Sequence, residues 1–168
     1  MRKLHKRYSK PRKKYDKRRI DEESEVIKKY GLKNKRELWK AGSHIGRLRN
    51  QAKELLVASQ EEKKVFLSKL EKLGLIGKDA GLDDVLTLTY LNFLDRRLQT
   101  LLVSKNIAKT TKEARQMIVH KRVIVNDHVV NVPSYLVPKD LENKIRIKQK
   151  MQKDKKEKSS EQIQESAK

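Results

Sequence analysis

Residues 93–147 change their hydrophobic period from helical to alternating, and this constrains the fold more than any other feature of the chain. Leu94, Leu98, Leu101 and Leu102 recur at helical spacing, which predicts one helix over about 90–105 with Arg96 and Arg97 beside the apolar stripe. Thr110 and Glu113 have the spacing of a capping box and open a short helix to about residue 120. Ala114, Met117 and Ile118 take its core-facing positions, leaving Lys112 and Arg115 free to face water. The period then falls to two. Residues 123–125, a turn at Asn126 and Asp127, and residues 128–132 read as a β-hairpin that Pro133 ends. Ile145 and Ile147 alternate with basic residues in a third strand over 144–148. Residues 94–148 are thus expected to form a small unit with one apolar and one basic side.

Charge shows what such a unit would meet. The 168 residues carry a formal net charge of +21. Residues 1–20 hold 11 Lys/Arg against 1 acid and residues 94–148 hold 12 against 5, while residues 58–93 are nearly neutral. An excess of this size favours a polyanionic partner, nucleic acid first and an anionic membrane surface second. Residues 1–20 offer only Leu4, Tyr8, Tyr15 and Ile20 as sizeable apolar groups, so they are expected to be a basic arm, disordered when free. Its tyrosines suit base stacking and its cations suit phosphates. Residues 149–168 are polar and read as a disordered charged tail, with a solvated helical extension as the alternative.

Residues 21–93 are expected to be mainly helical. A first helix is predicted over 21–30, with acids in its first turn and Gly31 as a left-handed cap. A second runs from Asn34 to about residue 58, with Leu38, Ile45, Leu48, Ala52, Leu55 and Leu56 at helical spacing. Its wetter faces carry Arg36, Lys40, Arg47 and Arg49, and Trp39 is expected to pack rather than stack on a base. Gly42 and Gly46 weaken its middle and leave room for an RNA backbone or another helix. Ser59 and Glu62 cap a third helix carrying Val65, Phe66, Leu70 and Leu73, which stops at Gly74. Asp83 and Asp84 are expected to cap a further helix.

Catalytic chemistry has no support. The chain has no cysteine, which excludes disulfides, thiol catalysis and Cys-ligated zinc. His5, His44, His120 and His128 are far apart in sequence, and no phosphate-loop or nucleophile-elbow motif occurs. No cofactor and no metal are therefore expected. The N-terminus lacks the apolar core of a secretory signal, and no stretch is apolar enough for a membrane span.

Residues 94–147 resemble the RNA-binding domain named after ribosomal small-subunit protein four. The resemblance rests on Arg97-Leu98, on Thr110 to Arg115 with its Ala114-Arg115 pair, on His120-Lys121-Arg122, on Val125-Asn126-Asp127, and on Val130 to Tyr135. Tyr30 to Trp39 and Phe93 to Thr100 resemble the ribosomal protein itself, in its archaeal and eukaryotic cytosolic branch. The resemblance spans roughly residues 10–148. Asp127 stands where the family usually has glycine, and the zinc-binding cysteines of many bacterial members are missing.

The resemblance implies an α+β protein, with a helical N-terminal region and an alpha-L-type helix-turn-helix and hairpin domain between disordered basic termini. It implies a cytoplasmic structural component of the small ribosomal subunit that binds small-subunit ribosomal RNA, nucleates assembly and contributes to decoding accuracy. Its partners would be that RNA, neighbouring small-subunit proteins, and messenger RNA where it enters the subunit. The expected RNA-binding face comprises Arg96, Arg97, Lys112, Arg115, His120, Lys121 and Arg122, with Ser134 and Tyr135 beside it. Arg36, Lys40, Arg47 and Arg49 would meet a neighbouring RNA segment. Tyr135 has hairpin packing as an equal alternative. A membrane-surface protein and a subunit of an RNA-modifying enzyme are the competing classes. The first lacks a basic amphipathic helix in the arm, and the second lacks catalytic residues.

Overall fold

A computed structural model describes residues 6–148; the predicted 149–168 tail lies outside them. Four helices build the first half: α1 Lys17–Tyr30, α2 Lys35–Glu54, α3 Gln60–Lys72 and α4 Leu82–Thr87. Three follow: α5 Tyr90–Asp95, α6 Leu98–Ser104 and α7 Thr111–Val119. Strands β1 Val123–Val125, β2 His128–Val129 and β3 Ile145–Ile147 form an antiparallel sheet in the order β2-β1-β3. A 3-10 segment, Lys139–Lys144, leads into β3.

Local signals placed most of the helix ends. Ser59 Oγ accepts from the Glu62 N–H at 3.4 Å, and Thr110 Oγ1 accepts from the Glu113 N–H at 3.2 Å. Asp84 caps α4 by accepting from the Gly81 N–H at 2.8 Å. Gly31 ends α1 at φ 60°, and Asn126 and Asp127 take φ 48° and 65°, the two left-handed positions of a tight hairpin turn.

Some limits shift. α1 begins at Lys17, so its first turn is basic and the arm ends sooner than residue 20. The Arg19–Glu23 pair at 2.6 Å, one turn apart, offsets that unfavourable start. β2 covers two residues, not five. Leu56 and Val65, assigned to apolar stripes, are exposed, because α2 ends at Glu54 and α3 buries Phe66 and Leu70 instead. The arm's described residues are not free of the fold: the Ser9 N–H reaches Ser43 Oγ at 3.3 Å and the Tyr8 ring lies against Trp39.

The largest departure is a break where one helix was expected over 90–105. Arg97 is extended and bridges Leu136; the Leu98 N–H bonds the Tyr135 carbonyl (2.8 Å) and the Val137 N–H bonds the Arg96 carbonyl (3.1 Å). These bonds to a distant loop replace the helical ones, so α5 and α6 are separate.

Three apolar clusters hold the molecule. One joins α1, α2 and α5 through Tyr30, Leu38, Ala41 and Leu94. A second joins α2, α3 and α4 through Ile45, Phe66, Leu70 and Val85. The third lies under the sheet, where Leu98, Leu102, Ala114, Ile118, Val123, Val125 and Val137 pack together. Full burial of each Leu, Ile, Val or Phe side chain among them contributes about 1.5–3 kcal/mol.

Polar ties lock the helical half to residues 94–148. The Tyr30 hydroxyl donates to Asp95 at 2.8 Å; burial, then that bond, then the Asp95 charge push the phenol up to about 12. Gln99, fully buried, donates its Nε2 to the carbonyls of Gly31 (3.2 Å) and Thr111 (2.9 Å). Arg97 binds Glu37 at 2.7 Å.

Candidate nucleic-acid interface

Of the expected face, one part is presented to solvent and one part is not. Lys112 and Arg115 lie three residues apart on α7, beside the stripe of the buried Ala114 and Ile118. Lys112 is exposed and Arg115 half-buried; the Arg115 Nη1 is buried and unpaired among the described residues. His120 is the C-cap of α7, Lys121 follows at φ 56°, and Arg122 leads into β1. All three are exposed. The fold thus gathers Lys112, Arg115, His120, Lys121 and Arg122 around the C-terminal end and one side of a single helix. The four Lys/Arg make no ion pair among the described residues.

Arg96 and Arg97, expected on this face, are not part of its solvent-facing surface. The helix break turns both inward. Arg97 is 3% exposed and bound to Glu37. Arg96 pairs with Glu142 at 2.9 Å and donates to the Val137 carbonyl at 3.0 Å. Its guanidinium also lies against Gly74, where an added Cβ would fall 2.8 Å from the carbon at its centre. Both arginines tie parts of the protein together and do not form the solvent-facing basic surface. Arg49 is likewise tied down, donating to the Leu88 carbonyl at the end of α4. Tyr135 is half-buried and packs against the cluster under the sheet, so the packing alternative describes its place.

α2 supplies the second basic surface. Positions 36, 40 and 47 fall on one side of a helix, and all three side chains are exposed. Lys40 and Arg47 line a groove of about 400 Å³ that spans both halves of the molecule, with Arg7 and His44 on its wall and Ser134 on its far side. The Glu37–Arg97 pair also lines it, so the tie that joins the halves shapes the groove. Burial, with the nearby charges of Arg47 and Lys69, lowers the His44 pKa and favours its neutral form. His44 also lies 4.7 Å from the Phe93 ring, centre to centre.

Arg36 lines a separate concavity with Lys10, Lys14, Arg19, Lys35 and Trp39. Trp39 is half-buried and donates its Nε1 to Glu23 at 3.0 Å, in keeping with a packing residue. Burial alone would raise the Glu23 pKa. Hydrogen bonds from Trp39 and Arg19 and the charges of Arg19 and Lys35 outweigh it and lower the value. Arg7, Lys10, Lys14, Lys35 and His44 join these surfaces in addition to the expected site residues. The runs of cations in the arm were the available signal, but their seat on α2 was not encoded locally.

Among the described residues no group of three or more His, Cys, Asp or Glu could hold a metal, and no helix is long and apolar enough to cross a membrane.

Residues 96–142 match the family model described as the S4 domain. The chain is 44% identical over 147 residues to the small ribosomal subunit protein uS4 of Picrophilus torridus, covering 83% of this chain and 80% of that protein. It is 51% identical over 137 residues to the protein of that name in Nanoarchaeum equitans, covering 78% and 76%. With the Methanoregula boonei protein of the same name it shares 41% over 152 residues, covering 85% and 82%.

Proposed function

The chain belongs to the small ribosomal subunit protein uS4 family, and on that premise we propose that it is a structural component of the small subunit that binds small-subunit ribosomal RNA directly. It is a ribosomal protein of the archaeal type, not an enzyme. One observation carries the binding role: the cations of α7 and its C-terminal end and those of the α2 groove sit on two halves that the Arg97–Glu37 pair and the Gln99–Gly31 bond make into one body. A rigid pair of cationic surfaces suits a folded RNA junction. Phosphate contacts dominate such binding, because A-form RNA keeps its base edges in a deep, narrow groove.

The finer roles belong to the same proposal. They are early action in assembly, contact with neighbouring small-subunit proteins, an influence on decoding accuracy, and a position where messenger RNA enters the cytoplasmic ribosome. The family resemblance supports them.

Arg115→Ala tests the α7 surface. The log–log salt slope of affinity for small-subunit ribosomal RNA is expected to shallow by about 1. An unchanged slope and affinity would remove Arg115 from the interface. Binding of anionic vesicles in preference to that RNA would favour the membrane-surface alternative.

A further inference from the structure

We infer that Gln99 is a positioning residue: it fixes the direction of α7 against the helical half, and so sets a preference for folded RNA over a plain duplex. This rests on the proposed RNA-binding function and adds to it a residue that touches no RNA. Gln99 is fully buried at the start of α6. Its Nε2 donates to the Gly31 carbonyl at the cap of α1 (3.2 Å) and to the Thr111 carbonyl in the first turn of α7 (2.9 Å). One nitrogen thus joins three helices. Its Oε1 is buried as well and has no hydrogen-bond partner among the described residues.

Packing alone does not account for a glutamine here, because an unpartnered buried oxygen destabilises the fold. What the amide adds is direction. Apolar surfaces can slide over one another, whereas a buried amide bonded to two carbonyls holds one arrangement of the elements. α7 needs such a constraint. Ala114 and Ile118 pack it on the cluster under the sheet, and the bonds of its Thr110 and Glu113 caps stay within residues 109–113. Among the described residues, the Gln99–Thr111 bond is the one side-chain hydrogen bond that reaches α7 from another helix. The Arg97–Glu37 pair crosses the same seam but reaches α2.

The joint holds one end of α7 while His120, Lys121 and Arg122 gather at the other. From Thr111 to His120 the helix rises about 14 Å, so a tilt of about 10° carries the cationic end about 2 Å. A charge-assisted hydrogen bond does not survive a shift of that size. A plain duplex tolerates the tilt, because it follows one basic surface wherever that surface points. A folded RNA that must also meet the α2 groove does not.

The chain has no cysteine, so spin labels can be placed at two introduced ones. In the full chain, labels at Glu54→Cys and Val119→Cys, the exposed last residues of α2 and α7, are expected to give one narrow distance. Gln99→Leu fills the space without donors, and is expected to broaden that distance or shift it by about 2 Å. In the unlabelled chain it lowers affinity for small-subunit ribosomal RNA about tenfold and leaves affinity for a short RNA duplex within about twofold. Loss of folded protein alone would lower both alike. Gln99→Glu is the second variant. Ionised, it turns only acceptors on the two carbonyls; protonated, it regains one donor. Burial raises the pKa of such a carboxyl, so its ribosomal RNA affinity, relative to the unmodified protein at each pH, is expected to recover from about pH 8 to about pH 6. A label distance unchanged by Gln99→Leu, or equal losses for the two RNAs with the fold intact, overturns the inference and leaves the proposed function standing. If Gln99→Leu does not fold, absence of the pH recovery in Gln99→Glu overturns it. If the unmodified protein does not bind the ribosomal RNA, the proposed function fails and takes this role of Gln99 with it.

Discussion

Replacing Gly31 by alanine is expected to destabilise the protein by about 2–5 kcal/mol, the sum of left-handed backbone strain and overpacking. Gly31 sits at φ 60°, where an L side chain is strained whatever the space. The space is also taken: an added Cβ would fall 2.7 Å from Thr111 Oγ1 and 2.8 Å from Gln99 Nε2. Neither neighbour can give way cheaply. Gln99 is fully buried and bonds the carbonyls of Gly31 and Thr111 with that same nitrogen. The substitution therefore strikes the α1 cap and the seam between the two halves together. Urea unfolding of Gly31→Ala beside Gly42→Ala checks this. Gly42 is in an open helical position, where alanine is expected to gain about 0.5–1 kcal/mol. Equal stability of the two variants would show that the seam is not packed as described.

Arg97→Ala is expected to cost about 3 kcal/mol, the low end for breaking a buried ion pair. The low end applies because Glu37 is 24% exposed in its side chain and recovers some water when its partner leaves. The more telling readout is RNA binding. At a temperature where the variant is folded, its salt slope is expected to match that of the unmodified protein, because Arg97 faces Glu37 and not the RNA. A stable variant with a slope shallower by about 1 would return Arg97 to the interface.

These two positions show what was legible in the sequence and what was not. Gly31 as a left-handed cap, Ser59 and Thr110 as helix starts, and the turn at Asn126 and Asp127 are settled by neighbours within four residues. Local spacing was enough for them. The inward turn of Arg96 and Arg97 depends on Leu136, Glu142 and Glu37, all distant in sequence, and a continuous leucine pattern from 91 to 102 concealed the break. Two arginines inside an apolar run were a signal for buried partners, but nothing local named the partners. Lys112, Lys121 and Arg122 are exposed and Arg115 is half-buried beside the apolar stripe of α7. The groove that gathers Lys40, Arg47 and Ser134 forms only once the halves are locked together.

We propose an RNA contact through the cations Lys112, Arg115, Lys121 and Arg122 of α7 and its C-terminal end. Its most direct test is the salt dependence of RNA affinity for the protein carrying Lys112→Ala, Arg115→Ala, Lys121→Ala and Arg122→Ala together. With the fold intact by circular dichroism, the slope is expected to shallow by about 3, with a loss of affinity to match. A slope and affinity equal to those of the unmodified protein would contradict the account.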